Sequence, residues 1–265
     1  MPTTSGVGRH IFLAMVLVFM FGGLACADWH IPIWEDDFSD GDFTGDPTWT
    51  TFSSGGFATW DATTGAFAMS GTYNSTYAAG WVGAYVDQKH GDQGLEGWVS
   101  PYSGAADGVA ALALLRYTPG SVFGTGYALA ITYNASDDMV AGMYQLNDAT
   151  GNTLLGTERT VLEDSYDDML FRFLVMGTGD DTNLMARVWA DDGSEEPEDW
   201  LFDFTLSGAP YDDGFGGVGV VTQNPGVTEA EATFDNLQYG TPEPTTMVLL
   251  ATGLGALALR RRRNA

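Results

Sequence analysis

The chain has 265 residues, with 35 acidic side chains against ten lysines and arginines and a formal charge of −25. That balance excludes partners held through phosphates, nucleic acid and anionic lipid head groups alike, and favours divalent cations. One cysteine and three histidines exclude a disulfide framework and leave too few ligands for a typical zinc site.

At the N-terminus Arg9 and His10 precede an apolar run from Ile11 to Leu24, and Ala25-Cys26-Ala27 follows as a small-x-small cleavage pattern. These features predict a signal peptide over 1–27 and a mature chain from Asp28. The alternative, a lipidation cysteine at Cys26, has Gly23 where such a signal usually carries leucine.

Residues 28–241 suit one large all-β domain. Lys89, Arg116, Arg159, Arg172 and Arg187 face 34 acidic residues there, a formal charge of −29. Near its start "DGDFTGD" places Asp40, Asp42, Thr44 and Asp46 at alternate positions with Gly45 at the turn, like the first half of a calcium loop, although Thr51 stands where the bidentate glutamate belongs. Trp49 and Trp60 follow in turn-rich surroundings and are expected to be exposed, where an indole can stack on a sugar ring. The other tryptophans alternate with small or apolar neighbours, as in "GWVGAYV" and "ARVWAD", and are expected in the core.

Period-two runs then succeed one another at 65–71, 80–86, 95–100, 108–117, 126–133, 139–146, 169–177, 184–191, 200–206, 216–223 and 230–239, separated by Gly, Asp and Asn turns. No helical stripe interrupts them. The pattern predicts an all-β, two-sheet antiparallel sandwich of jelly-roll type.

Catalytic motifs are scarce. Gly214–Gly219 fits G-x-G-x-x-G but follows "YDD" and precedes "QNPG", so it reads as a turn and a strand. Glu229 and Glu231 would share one strand face about 6.6 Å apart, yet Ala230, Ala232 and Phe234 form the apolar face and leave the carboxylates to solvent. His90, in "DQKHGDQG", reads as a loop residue. No catalytic residue is assigned.

The chain closes on Pro242-Glu243-Pro244, an apolar stretch from Met247 to Leu259, and Arg260, Arg261, Arg262 and Arg263. As a helix the stretch spans about 20 Å against a hydrocarbon core of about 30 Å. A segment that is cut off after sorting fits that length, a retained short tail anchor being the alternative.

This ending, residues 242–265, resembles a PEP-CTERM sorting signal. The resemblance implies processing by an exosortase-like membrane enzyme, transient anchoring in the inner membrane, and residence at the surface or in the matrix of a Gram-negative bacterium that makes exopolysaccharide. The interior, through "DDFSDGDFTGDPTW", "LLRY", "RVWADDGSEEPEDW", "GGVGVVT" and "FDNLQYG", resembles concanavalin A-like or laminin-G-like jelly rolls. That fold hosts lectins, glycosidases, lyases and structural modules, and the E-x-D-x-E pattern of many of its glycosidases is absent. The resemblance also implies a structural calcium ion between first and last strands, held by Asp235 and by Asp36 or Asp37. The reading is a non-enzymatic binding or structural component associated with extracellular polysaccharide; the alternative is a polysaccharide-active enzyme on the same fold.

Overall fold

The computed structural model describes residues 30–54, 57–73, 80–101, 109–148, 151–163, 168–222 and 230–242. The chain divides into the unit Pro32–Pro242 and a second one of the two terminal segments, Met1–Ile31 and Glu243–Ala265. The signal peptide and nearly all of the C-terminal signal therefore lie outside the described residues.

Sixteen strands are described: β1 (His30–Asp36), β2 (Trp49–Ser53), β3 (Ala58–Asp61), β4 (Phe67–Gly71), β5 (Gly80–His90), β6 (Gln93–Pro101), β7 (Val109–Thr118), β8 (Thr125–Tyr133), β9 (Met139–Leu146), β10 (Thr153–Leu154), β11 (Arg159–Leu162), β12 (Met169–Met176), β13 (Thr182–Ala190), β14 (Phe202–Leu206), β15 (Gly214–Thr222) and β16 (Ala230–Pro242). The first sheet runs β14-β13-β12-β6-β16-β4-β3 with β1 also on β16, and the second β10-β9-β8-β7-β15-β5-β2 with β11 also on β9. Ladders along both paths are antiparallel.

Alternation builds the sandwich. Val109, Ala111, Ala113 and Leu115 of β7 and Tyr127, Leu129 and Ile131 of β8 meet Phe171 and Phe173 of β12 and Leu184 and Val188 of β13 in one buried core. On the other parity Trp81, Leu112, Leu114, Tyr117, Ala128, Ala130, Leu146 and Val221 form a second cluster on the far face of the second sheet. That sheet is thus apolar on both sides, which explains the near-continuous hydrophobic runs of β7 and β8.

Arg116 closes one end of the sandwich. Its side chain is fully buried at a bulge of β7, with φ 49°. The guanidinium donates to the carbonyl oxygens of Gly91 (2.7 Å), Tyr211 (2.9 Å) and Gly177, and its backbone N–H to Gln93 Oε1 (2.7 Å). Gln93 in turn donates to the carbonyls of Gly214 (2.7 Å) and His90. Apart from Gly177, which follows β12 within the first sheet, these partners lie where the chain crosses between sheets, from β5 to β6 and from β14 to β15. A Cβ on Gly214 would fall 2.3 Å from the Arg116 carbonyl carbon, so β15 must start on glycine.

Candidate functional site

The outer face of the second sheet carries a continuous run of rings. Phe215 stacks on Tyr85 (4.7 Å between centroids), Tyr85 meets Tyr117 (6.1 Å), Tyr117 stacks on Phe52 (5.0 Å), Phe52 reaches Trp81 (6.0 Å), and Phe123 stands edge-on to Trp81 (5.8 Å). Phe123 is placed by a loop wrapped around one carboxylate: Asp148 accepts backbone N–H groups from Ser121 (2.8 Å), Val122 (2.7 Å), Phe123 (2.9 Å) and Gly124 (3.0 Å), and the Ser121 hydroxyl (2.8 Å). Burial raises the Asp148 carboxyl, but these donors outweigh it and hold the group well below the ordinary carboxylate value.

Beyond Trp81 the face sinks into a groove of about 330 Å³. Alanines make its floor, Ala110 on β7 and Ala128 and Ala130 on β8; Tyr144, Asn134, Asn152 and Glu158 stand around it. The Tyr144 hydroxyl donates to Glu158 Oε1 (2.7 Å). Burial, with Glu158 beside it, pushes that hydroxyl above its ordinary value, so Tyr144 remains a donor. Glu158 folds over the sheet because position 142 is glycine: a Cβ there would meet Tyr144 Cε2 at 3.0 Å and Glu158 Cγ at 3.1 Å. Asn134 is occupied in the β8–β9 turn, its Oδ1 accepting from Ser136 and Asp138 N–H (2.8 and 3.1 Å). Asn152 Oδ1, by contrast, is shielded from solvent with no hydrogen-bond partner. Glu158 is the one carboxylate, and there is no cation, among the lining residues described.

The tryptophan expectations hold for Trp81, which is 1% exposed in the second cluster, and fail at four other positions. Trp49 is 4% exposed on β2, packed among Trp34, Phe38 and Phe67, with its indole N–H on Asp36 Oδ2 (2.8 Å). Trp60, on β3, is half-buried against the core and donates to the Gly83 carbonyl (3.2 Å). Trp98 and Trp189, read from local alternation as core, flank Leu170 in one cross-strand row on the outside of the first sheet, all three half-buried. In the next row but one, Arg172 Nε and Nη2 both meet Glu96 Oε2 (2.8 and 2.7 Å), Arg172 and Arg187 share Glu196 Oε1 (2.7 and 2.6 Å), and Arg187 lies 4.1 Å over the Trp200 ring.

The carboxylates expected around calcium divide into two groups. Both oxygens of Asp36 are taken, by Trp49 and by Phe38 N–H (2.9 Å), and its carboxyl is raised by burial. Asp235 binds the N–H and side-chain amide of Asn236, and burial, with Asp37 nearby, raises it as well. In the loop, Asp40 Oδ1 takes Asp42 N–H (3.0 Å) and Asp42 Oδ1 takes the N–H and hydroxyl of Thr44 (both 2.7 Å), whereas both Oδ2 atoms lie beside Gly45, 3.7 and 3.9 Å from where its Cβ would be. Asp46 is exposed. Among the described residues no three His, Cys, Asp or Glu groups gather to hold a metal.

Other positions follow the sequence more closely. Gly214–Gly219 lies within β15, a strand as expected. Glu231 is exposed on β16 and Glu229 lies outside the described residues. His90 ends β5 rather than occupying a loop, its ring 6.0 Å from Tyr239.

Antiparallel strands in two facing layers, with a ring-lined outer face, define a concanavalin A-like jelly roll. Residues 241–263 match the PEP-CTERM protein-sorting motif, which marks an exported chain with a C-terminal sorting signal. Among solved structures the chain is similar to an endo-acting O-glycanase of the human gut microbiota (12% identity, TM-score 0.52, 80% of this chain and 100% of that one). It is also similar to a β-1,3-1,4-glucanase (lichenase) from a mouse hindgut metagenome (12%, 0.50, 78% and 98%), and to carbohydrate-binding module CBM66 from Bacillus subtilis (16%, 0.43, 73% and 95%). At these identities the likeness shows the fold alone. Among curated proteins none matches the chain. No helix of the described residues is long and apolar enough to cross a membrane.

Proposed function

We propose that the domain is a non-enzymatic carbohydrate-binding module, processed by an exosortase-like enzyme and delivered to the surface or matrix of a Gram-negative bacterium, where it holds extracellular polysaccharide. The observation that carries this reading is the groove beside Trp81. It offers apolar floor, tyrosine, amide and carboxylate together, the mixture that fits a pyranose with its apolar face and its ring of hydroxyls. Two-carboxylate hydrolysis needs a pair flanking the bond, about 5–9.5 Å apart, and Glu158 stands alone among the described lining residues. Elimination on a uronate is served by a cation beside the sugar carboxylate, and none is among the described lining residues. The glucanase and the O-glycanase named above act on glycans, which supports the class of ligand without deciding between binding and cleavage.

A glycan array on the purified exported protein, followed by reducing-end assays on every hit, tests the reading. Retention without new reducing ends is the expected result. New reducing ends that vanish in Glu158→Gln would establish the enzyme instead, and an array without retained glycan would remove the ligand class.

A structural calcium ion is proposed at Asp40–Asp46 alone. In that loop Asp40 and Asp42 each keep one carboxylate oxygen beside Gly45 and outside the loop's own hydrogen bonds, whereas Asp36 and Asp235 have spent theirs on the protein's own donors.

A further inference from the structure

We infer that the groove selects glycans bearing free amines, a partly de-N-acetylated hexosamine polymer, with Glu158 receiving the ammonium group. The inference rests on the binding role proposed above and names the ligand for that same groove. Its first support is the inventory of open polar atoms. Tyr144 donates its hydroxyl hydrogen to Glu158 Oε1, leaving Oε2 open among the described residues, and Asn152 Oδ1 is shielded and unpaired. Both are acceptors. An ammonium or acetamido N–H answers them, whereas a carboxylate or sulfate brings only further acceptors.

Charge supplies the second support. Every cation of the exported domain is engaged away from the groove. Arg116 is buried among carbonyls, Arg172 and Arg187 are held by Glu96 and Glu196, Lys89 lies 4.9 Å over Phe215, and Arg159 lies 5.7 Å over Phe202. An acidic polysaccharide would meet a domain of charge −29 with no counter-charge at the groove, and a polyamine would be drawn in by the same field. Geometry completes the case. Glycine at 142 lets the Glu158 carboxylate lie beside the Tyr144 ring, where one ammonium can contact carboxylate and aromatic face together. The alanine floor accepts the apolar side of the ring or a remaining acetyl methyl.

Calorimetric titration of the exported protein with four oligosaccharides of equal length decides the matter: glucosamine, N-acetylglucosamine, a neutral β-glucan and a uronic acid oligomer. Glucosamine is expected to bind tightest and the uronate weakest, the glucosamine affinity falling as salt rises. Glu158→Gln should lower glucosamine affinity about tenfold, the cost of one charge-assisted hydrogen bond, and leave the N-acetylated oligomer unchanged. Asp203→Asn, on the exposed face of β14, removes the same charge elsewhere and should change neither. Equal losses in the two variants would reduce the preference to bulk attraction and overturn the inference. Tighter binding of the neutral glucan or the uronate would overturn it too while leaving a binding module in place; no binding of any oligomer would overturn both.

Discussion

Replacing Arg116 by methionine removes the one side chain that donates to three carbonyls at the crossing end of the sandwich. Gly91, Tyr211 and Gly177 are part-buried and each loses a donor, at about 1–3 kcal/mol apiece. Against this the fold no longer buries a charge whose nearest carboxylate, Asp92, is 3.7 Å away and largely exposed, and that relief offsets several kcal/mol. The net expectation is a loss of about 4 kcal/mol, a large part of the 5–15 kcal/mol that holds a typical domain together. For a domain of this length that corresponds to a fall in Tm of about 12 °C. Urea unfolding followed by tryptophan fluorescence reads both Cm and m, and the loss should appear in Cm with m unchanged. Arg116→Lys should recover little of it, because one ammonium cannot reproduce a planar fork directed at three separate oxygens. A drop below about 1 kcal/mol in the methionine variant would refute the reasoning, since it would mean the carbonyls find other donors at once.

Asp148 sets an acid limit. Its folded carboxyl titrates below the ordinary value of 3.8, so its contribution is fully present above that value and drains away as pH falls through and beneath it. The Tm difference between wild type and Asp148→Ala should therefore be constant from neutral pH to about 5 and shrink at lower pH; a difference that grew on acidification would contradict the loop geometry. If calcium occupies Asp40–Asp46, free calcium a hundredfold above its Kd should add about 2.7 kcal/mol, lost in Asp42→Ala and kept in Asp235→Ala. Equal melting in calcium and in magnesium at matched ionic strength would dismiss the ion. Intact mass of the protein from its native host should give a chain that begins at Asp28 and lacks the segment from about Thr245, and a membrane-held product that keeps Arg260–Arg263 would defeat the processing scheme.

The strands that alternate against a core were legible because their own residues carry the signal: Phe171, Phe173 and Val175 mark β12 without any knowledge of neighbours. Five strands, β1, β2, β3, β10 and β11, were not. β10 and β11 are mostly exposed and exist because β9 offers them hydrogen bonds, a tertiary cause that leaves no local pattern. Trp49 was misjudged for a related reason. Turn-forming residues surround it, but its burial is decided by Asp36, thirteen positions earlier, which takes its indole proton. Trp189 did carry a usable signal, since it shares strand parity with Arg187 and so faces away from Ala186 and Val188. The groove was the least legible part. Alanines fall on both faces of β7, and Asn152 and Glu158 come from a polar stretch whose place over the sheet depends on a glycine in another strand.

Because its five cations engage rings, carbonyls or glutamates and face 34 acidic residues, the domain meets its neighbours as a polyanion. Two copies brought side by side repel one another, and that repulsion extends over about 10 Å in 0.1 M salt and about 30 Å in 0.01 M. Crowded copies would space themselves like charged colloids, packing more closely as the surrounding water becomes saltier. The second virial coefficient, followed by light scattering against salt, would fall steadily toward zero as that spacing collapses.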